Sequence, residues 1–179
     1  MSTTYVTDAA TLGTGLLLAR LIVGVLMAAH GSQKLFGWFG GYGLAGTAGY
    51  FEQLGFRPGR LFVAVSSLAE VAGGILVALG LFGPVGPALI LSVMIVAAGS
   101  VHWGKGLFAG TNGIEVPLLY AASAVALAFT GPGPFSLDAM LGIEHTWTPA
   151  IKVAALAIGV AGGAANLLAR RPAAVAATA

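Results

Sequence analysis

Cysteine is missing from this chain altogether, and charge is nearly so: of 179 residues, 8% are Asp, Glu, Lys or Arg. Without cysteine there can be no disulfide, no thiol catalysis by this chain and no thiolate-held metal or iron–sulfur centre. The shortage of charge excludes an ordinary water-facing surface, since about a quarter of the residues in a typical soluble domain are charged. A basic stripe is lacking too. The 8 Lys and Arg lie scattered against 6 Asp and Glu, a net charge of +2, without the clustering that nucleic acid requires. What remains is apolar: 58% of the residues are hydrophobic and 28 are glycine. Lipid as the solvent removes the need for polar cover, and glycine lets helices approach closely within it. Composition therefore predicts an all-α, polytopic membrane helix bundle with membrane lipid as its surroundings.

Five apolar segments approach the ~20 residues that cross a ~30 Å hydrocarbon layer. They run from about Leu12 to Phe36, Leu61 to Phe82, Pro84 to Trp103, Ile114 to Thr130 and Pro149 to Ala169. Gly83-Pro84 breaks the second from the third, Gly131-Pro132-Gly133-Pro134 stops the fourth, and Pro149 suits the first turn of the fifth. The fourth is the shortest and is expected to begin within the headgroup layer. Met1 to Thr14 carries Asp8 but no Lys or Arg, unlike the start of a secretory signal, so the first run reads as a retained helix. Residues 170–179 read as a disordered tail.

Residues 37–60 hold eight glycines together with Trp38, Phe39, Tyr42, Tyr50, Phe51 and Phe56. So many rings suit an interfacial or re-entrant stretch, either anchored at the headgroups or folding back through a short helix over Leu44 to Leu54 as the lid of a pocket. With five crossings, Lys34, Arg57, Arg60, Lys105, Arg170 and Arg171 share one side and only Lys152 lies near the other. The positive-inside rule then predicts a multi-pass protein of the cell's inner (plasma) membrane, N-terminus outside and C-terminus cytoplasmic. Gly159 with Gly163, and Ala69 with Gly73, are small-residue pairs expected to serve packing inside the bundle.

Ionisable residues at membrane depth cost about 2.5–3.5 kcal/mol each, so they mark partners or function. Arg20 and Glu70 stand on antiparallel helices and are expected to pair. His30 and Lys34, four apart, share a helical face; His102 and Lys105 end the third helix on the same side, and Asn112 and Glu115 follow. His30, His102 and Glu115 are expected to converge beneath the 37–60 segment as a polar pocket with two imidazoles that titrate near neutrality. Arg20, His30, Glu70, His102 and Glu115 are the catalytic candidates. His30, Lys34, Trp103 and Asn112 are the candidates for holding a bound head group. Two histidines and a carboxylate without a third histidine do not predict a metal site.

Several ordered stretches resemble the DoxX family of small membrane proteins. They are Leu16 to Val25, His30 to Gly41, Gly43 to Phe51, Leu68 to Gly74, Val101 to Phe108, Asn112 to Leu119 and Thr130 to Asp138. The resemblance spans about residues 15 to 141. It implies a four-helix core over 12–141, to which the 149–169 helix is an addition, and the Arg20, His30, Lys34, Glu70, His102, Asn112 and Glu115 positions match its pattern. It also implies an association with thiosulfate:quinone oxidoreduction and with complexes that handle oxidative or thiol stress. The expected function is a membrane subunit linked to quinone or thiol-stress redox chemistry, with quinone as the expected cofactor and a soluble or membrane redox protein as partner. A small transporter or lipid-handling protein, and a membrane scaffold for a partner enzyme, are the alternatives; whether the chain is itself an enzyme is left open.

Overall fold

Asp8 opens the first helix by accepting a hydrogen bond from the Ala10 amide at 3.2 Å, and Gly37, at φ 78°, closes it in the left-handed region. The computed structural model that shows this describes residues 8–171. Of the disordered tail expected over 170–179, residues 172–179 lie outside them, as does the start of the N-terminal segment, whereas Arg170 and Arg171 lie within and are hydrogen-bonded to Leu54, Gly99 and Gly55.

α1 (Ala9–Phe36) has 28 residues. At 1.5 Å per residue it runs about 42 Å, more than the ~30 Å of hydrocarbon. α2 (Gly43–Gln53) is the short helix foreseen inside the aromatic segment. α3 (Gly59–Leu79) stops at Gly80, φ 62°, two residues before the expected end at Phe82, because the chain must turn left-handed there. α4 (Val85–Ala97) widens into a π turn over Ala98–His102. α5 (Glu115–Thr130) is followed by the single turn α6 (Leu137–Met140), capped by Ser136, and by α7 (Pro149–Leu168), capped by Thr148 with Pro149 in its first turn. No strand occurs among the described residues.

Contacts between the connections sort the helix ends into two groups. At one end, Gly13 of α1 abuts Pro134, and the Phe82 and Gly83 amides reach Asp138. At the other, the Arg171 amide bonds Gly55 O at 2.7 Å, and Arg170 bonds Leu54 O at 2.9 Å and Gly99 O at 3.4 Å. α1, α3, α4, α5 and α7 therefore each run from the Asp138 end to the Lys34 end or back. Four of them (α1, α3, α4 with its π turn, and α7) are long and apolar enough to cross a membrane. The 16 residues of α5 reach only about 24 Å, so its ends fall short of a full ~30 Å hydrocarbon layer. This is a polytopic helical bundle.

Leu18, Ile22, Val25, Leu61, Leu68 and Ile158 are exposed around its girth, where lipid replaces water as solvent. Inside, Met27, Val77, Ile90, Met94, Ala124 and Leu127 form the core. Between α1 and α3 the backbones nearly touch: a methyl on Gly24 would lie 2.5 Å from Gly74 O, and one on Gly31 2.6 Å from Ser67 O. α7 meets α4 in the same manner, Gly159 on Ala88 and Gly163 on Ser92, so that glycine pair serves the bundle itself.

Gly74 also faces Ala28 N at 2.5 Å, whereas Gly15 has nothing within 4 Å. Gly74→Ala is expected to lower stability by about 1–3 kcal/mol through overpacking and Gly15→Ala to leave it unchanged. Melting of both variants in detergent checks this.

Candidate functional site

A cavity of about 520 Å³ opens at the Lys34 end, between α1, α3, the π turn of α4 and α5. Met27, Val93, Met94 and Val116 make its walls apolar, and α2 with its flanks covers it through Tyr42, Thr47, Tyr50, Phe51 and Phe56. The aromatic 37–60 segment thus folds back over a pocket. Its α2 seats Ala48 against Gly59 of α3, where a side chain would meet Ala48 O at 2.3 Å. Arg170 stacks over Phe56 at 5.6 Å and ties the same segment to the end of α7.

Helical spacing delivers the polar groups. His30 and Lys34 come from one face of α1, and Ser66 and Glu70 from one face of α3. The π turn adds Ser100 and His102, its extra residue rotating them relative to the helix before it. Tyr120 reaches the cavity from α5.

The dominant interaction is an ion pair. Lys34 Nζ lies 2.5 Å from Glu70 Oε1, with Glu70 1% exposed and the Lys34 side chain 23% exposed. Glu70 Oε2 is buried without a partner, and so is the Ser67 hydroxyl below it on α3. His102 Nδ1 is 2.8 Å from the Asn112 carbonyl oxygen. A carbonyl only accepts, so Nδ1 carries the hydrogen, and Nε2 is the nitrogen left to face a ligand.

The expected Arg20–Glu70 pair does not form. The glycine contacts set Gly24 against Gly74 and Ala78 and Gly31 against Ser67 and Glu70, so Arg20 falls level with Gly80. Ten residues separate Gly80 from Glu70, about 15 Å along the helix. Arg20, 3% exposed, donates instead through Nη2 to Phe135 O at 2.5 Å, while its Nε and Nη1 have no partner. Glu115 is also placed elsewhere: its Oε2 accepts from the Ala109 amide at 2.6 Å and caps the loop before α5 rather than joining the two histidines. Asn112 contributes its backbone carbonyl to His102, and Trp103 is 76% exposed outside the cavity. Of the eight candidates, His30, Lys34, Glu70 and His102 line one cavity, and Arg20, Trp103, Asn112 and Glu115 do not.

Asp138 was missed as a key residue. It is 0% exposed and accepts three hydrogen bonds: from the Phe82 amide at 2.8 Å, the Gly83 amide at 2.8 Å and Trp147 Nε1 at 2.7 Å. The signal lay in Ser136-Leu-Asp138, a helix cap followed by an acid in an otherwise apolar stretch. Among the described residues no three His, Asp or Glu side chains gather closely enough to hold a metal ion.

Removing Lys34 leaves the buried Glu70 carboxylate without its counter-ion, a loss that reaches about 3–5 kcal/mol in fully buried pairs and is smaller here because Lys34 is 23% exposed. Lys34→Met is therefore expected to lower the melting point sharply, and Lys34→Met with Glu70→Leu to recover most of the loss. A double-mutant cycle by thermal melting measures this coupling.

The family model that matches the chain is DoxX, over residues 15–103, and the chain belongs to that family of membrane proteins. The match runs from within α1 to just past the π turn and includes Arg20, His30, Lys34, Glu70, His102 and Trp103; Asn112, Glu115 and α5 to α7 lie beyond it. It ends well short of the residue 141 to which the resemblance was traced. No curated protein and no solved structure matches the chain.

Proposed function

We propose that this DoxX-family protein is the membrane subunit of a quinone-linked redox system of the kind that serves thiol or oxidative stress, with the cavity at the Lys34 end as its head-group site. The observation that carries the reading is a Lys34–Glu70 pair whose carboxylate is buried with one oxygen unpartnered, set in an apolar cavity beside His30 and His102. Its volume of about 520 Å³ suits a lipophilic ring with the start of its tail, since small-molecule sites run to about 300–1,000 Å³. A quinone, when bound, supplies a two-electron, two-proton acceptor. Lys34 keeps two N–H donors beyond its bond to Glu70 and orients a carbonyl oxygen. Glu70 and His30 hold and pass protons, and the roof of α2 restricts water. The chain has no thiol to carry electrons, and in this reading a partner redox protein supplies them.

Quinone is expected in lipid extracts of the gently purified protein. Val116→Trp, which fills the cavity from α5 without touching its charges, is expected to reduce the bound amount at least tenfold. Extracts without quinone, together with no quinone-dependent reduction when donors and partners are supplied, would overturn this reading.

We further propose that the Lys34 end faces the cytoplasm of a cell whose inner membrane holds the protein, with the N-terminus outside. Lys34, Arg57, Arg60, Lys105, Arg170 and Arg171 flank that end, which supports the assignment. The native chain has no thiol, so single cysteines report without background. His145→Cys is expected to react with an impermeant maleimide in intact cells, and Gly110→Cys only after permeabilisation.

A further inference from the structure

The polar groups of the cavity ask for a ligand of particular hydrogen-bonding character. Glu70 lines the cavity, is 1% exposed and leaves Oε2 without a donor. A buried carboxylate oxygen is a strong acceptor, and leaving it unmatched is costly. Beside it Lys34 spends one N–H on Oε1 and retains two. Across the cavity, His102 has committed Nδ1–H to the Asn112 carbonyl, which in the uncharged ring leaves Nε2 as an acceptor. A carbonyl oxygen can accept from Lys34 but offers nothing to Glu70 Oε2, and its lone pairs repel that oxygen. A hydroxyl does both at once, accepting from Lys34 and donating to Glu70.

Resting on the reading of the cavity as a ring-binding site, we infer that it selects hydroxyl-bearing rings, phenols and hydroquinones, over their carbonyl or ether counterparts. The ring O–H donates to Glu70 Oε2 while its oxygen accepts from Lys34 Nζ, so the reduced form of a quinone pair is the one held. A site that can pair a ligand hydroxyl discriminates strongly against an analogue lacking it, because its own buried polar group is then left unpaired.

The test uses the full chain in nanodiscs, with empty nanodiscs as the partition blank. Binding is measured for 4-nonylphenol against 4-nonylanisole, and for decylubiquinol against decylubiquinone without oxygen. The phenol is expected to bind roughly tenfold or more tighter than the anisole, and the quinol tighter than the quinone. In Glu70→Gln, whose amide can donate as well as accept, both ratios are expected to fall towards one. The native ratios decide the matter even where that variant folds poorly. Equal binding of phenol and anisole, or a quinone held as tightly as its quinol, overturns the inference while leaving the quinone reading standing wherever the quinone binds. Preference for the phenol with neither quinone nor quinol bound supports the inference and sinks the quinone reading. Binding of none of the four sinks both.

Discussion

The near-contact of α1 and α3 is the constraint on which the remaining geometry depends. Gly24 against Gly74 and Gly31 against Ser67 bring two backbones so close that neither helix can slide by a turn without placing a side chain where only glycine fits. That register puts Lys34 and Glu70 together at one end and delivers Arg20 to Gly80 and Phe135 at the other. Apolar matching alone would tolerate several registers, because lipid-facing leucines are equivalent to one another along a helix. Glycine contact removes the degeneracy, and the ion pair then makes the chosen register costly to leave.

Each end of the bundle carries one polar knot, and the two differ in kind. At the Asp138 end the carboxylate takes three N–H donors from the α3–α4 turn and Trp147, which stitches two connections together and closes the space around it. At the Lys34 end the carboxylate takes a single donor and stands beside open volume. A buried carboxylate with three donors has little left to offer a ligand, whereas one with a free oxygen and a cavity has most of its hydrogen-bonding capacity in hand. The first knot is therefore read as structural, and the second is the one proposed to hold a ligand.

Much of this was legible in the sequence, for a physical reason in each case. Helices that must satisfy their own backbone in lipid announce themselves as apolar runs, and glycine and proline mark their ends, so the five runs fall within a few residues of the observed helices. The aromatic content of 37–60 betrayed a packed segment, which proved to hold α2 and to roof the cavity. Arg20, His30, Glu70 and His102 stood out because charge and imidazole are expensive at depth, and Lys34 because it shares a helical face with His30. The partners of those groups were not legible. Depth counted from uncertain helix ends left Glu70 within the reach of a long arginine side chain, whereas the glycine contacts set Arg20 level with Gly80, ten residues or ~15 Å from Glu70. Asp138 escaped notice because its partners are backbone amides and an indole, which leave no charge pattern in the sequence.

α7 takes on a meaning that the apolar run alone did not suggest. Its glycine face lies on α4, and the residues just beyond it, Arg170 and Arg171, reach Leu54, Gly55 and Gly99 while the Arg170 guanidinium covers Phe56. Those contacts grip both the roof of the cavity and the helix end that turns into the π segment bearing His102. A four-helix arrangement without α7 would leave the 54–56 segment to its backbone hydrogen bonds with α2, its aromatic contacts and the seat of α2 on Gly59. In this chain the helix beyond the DoxX match therefore acts on the site without lining the main cavity, by fixing the relative position of its roof and its far wall.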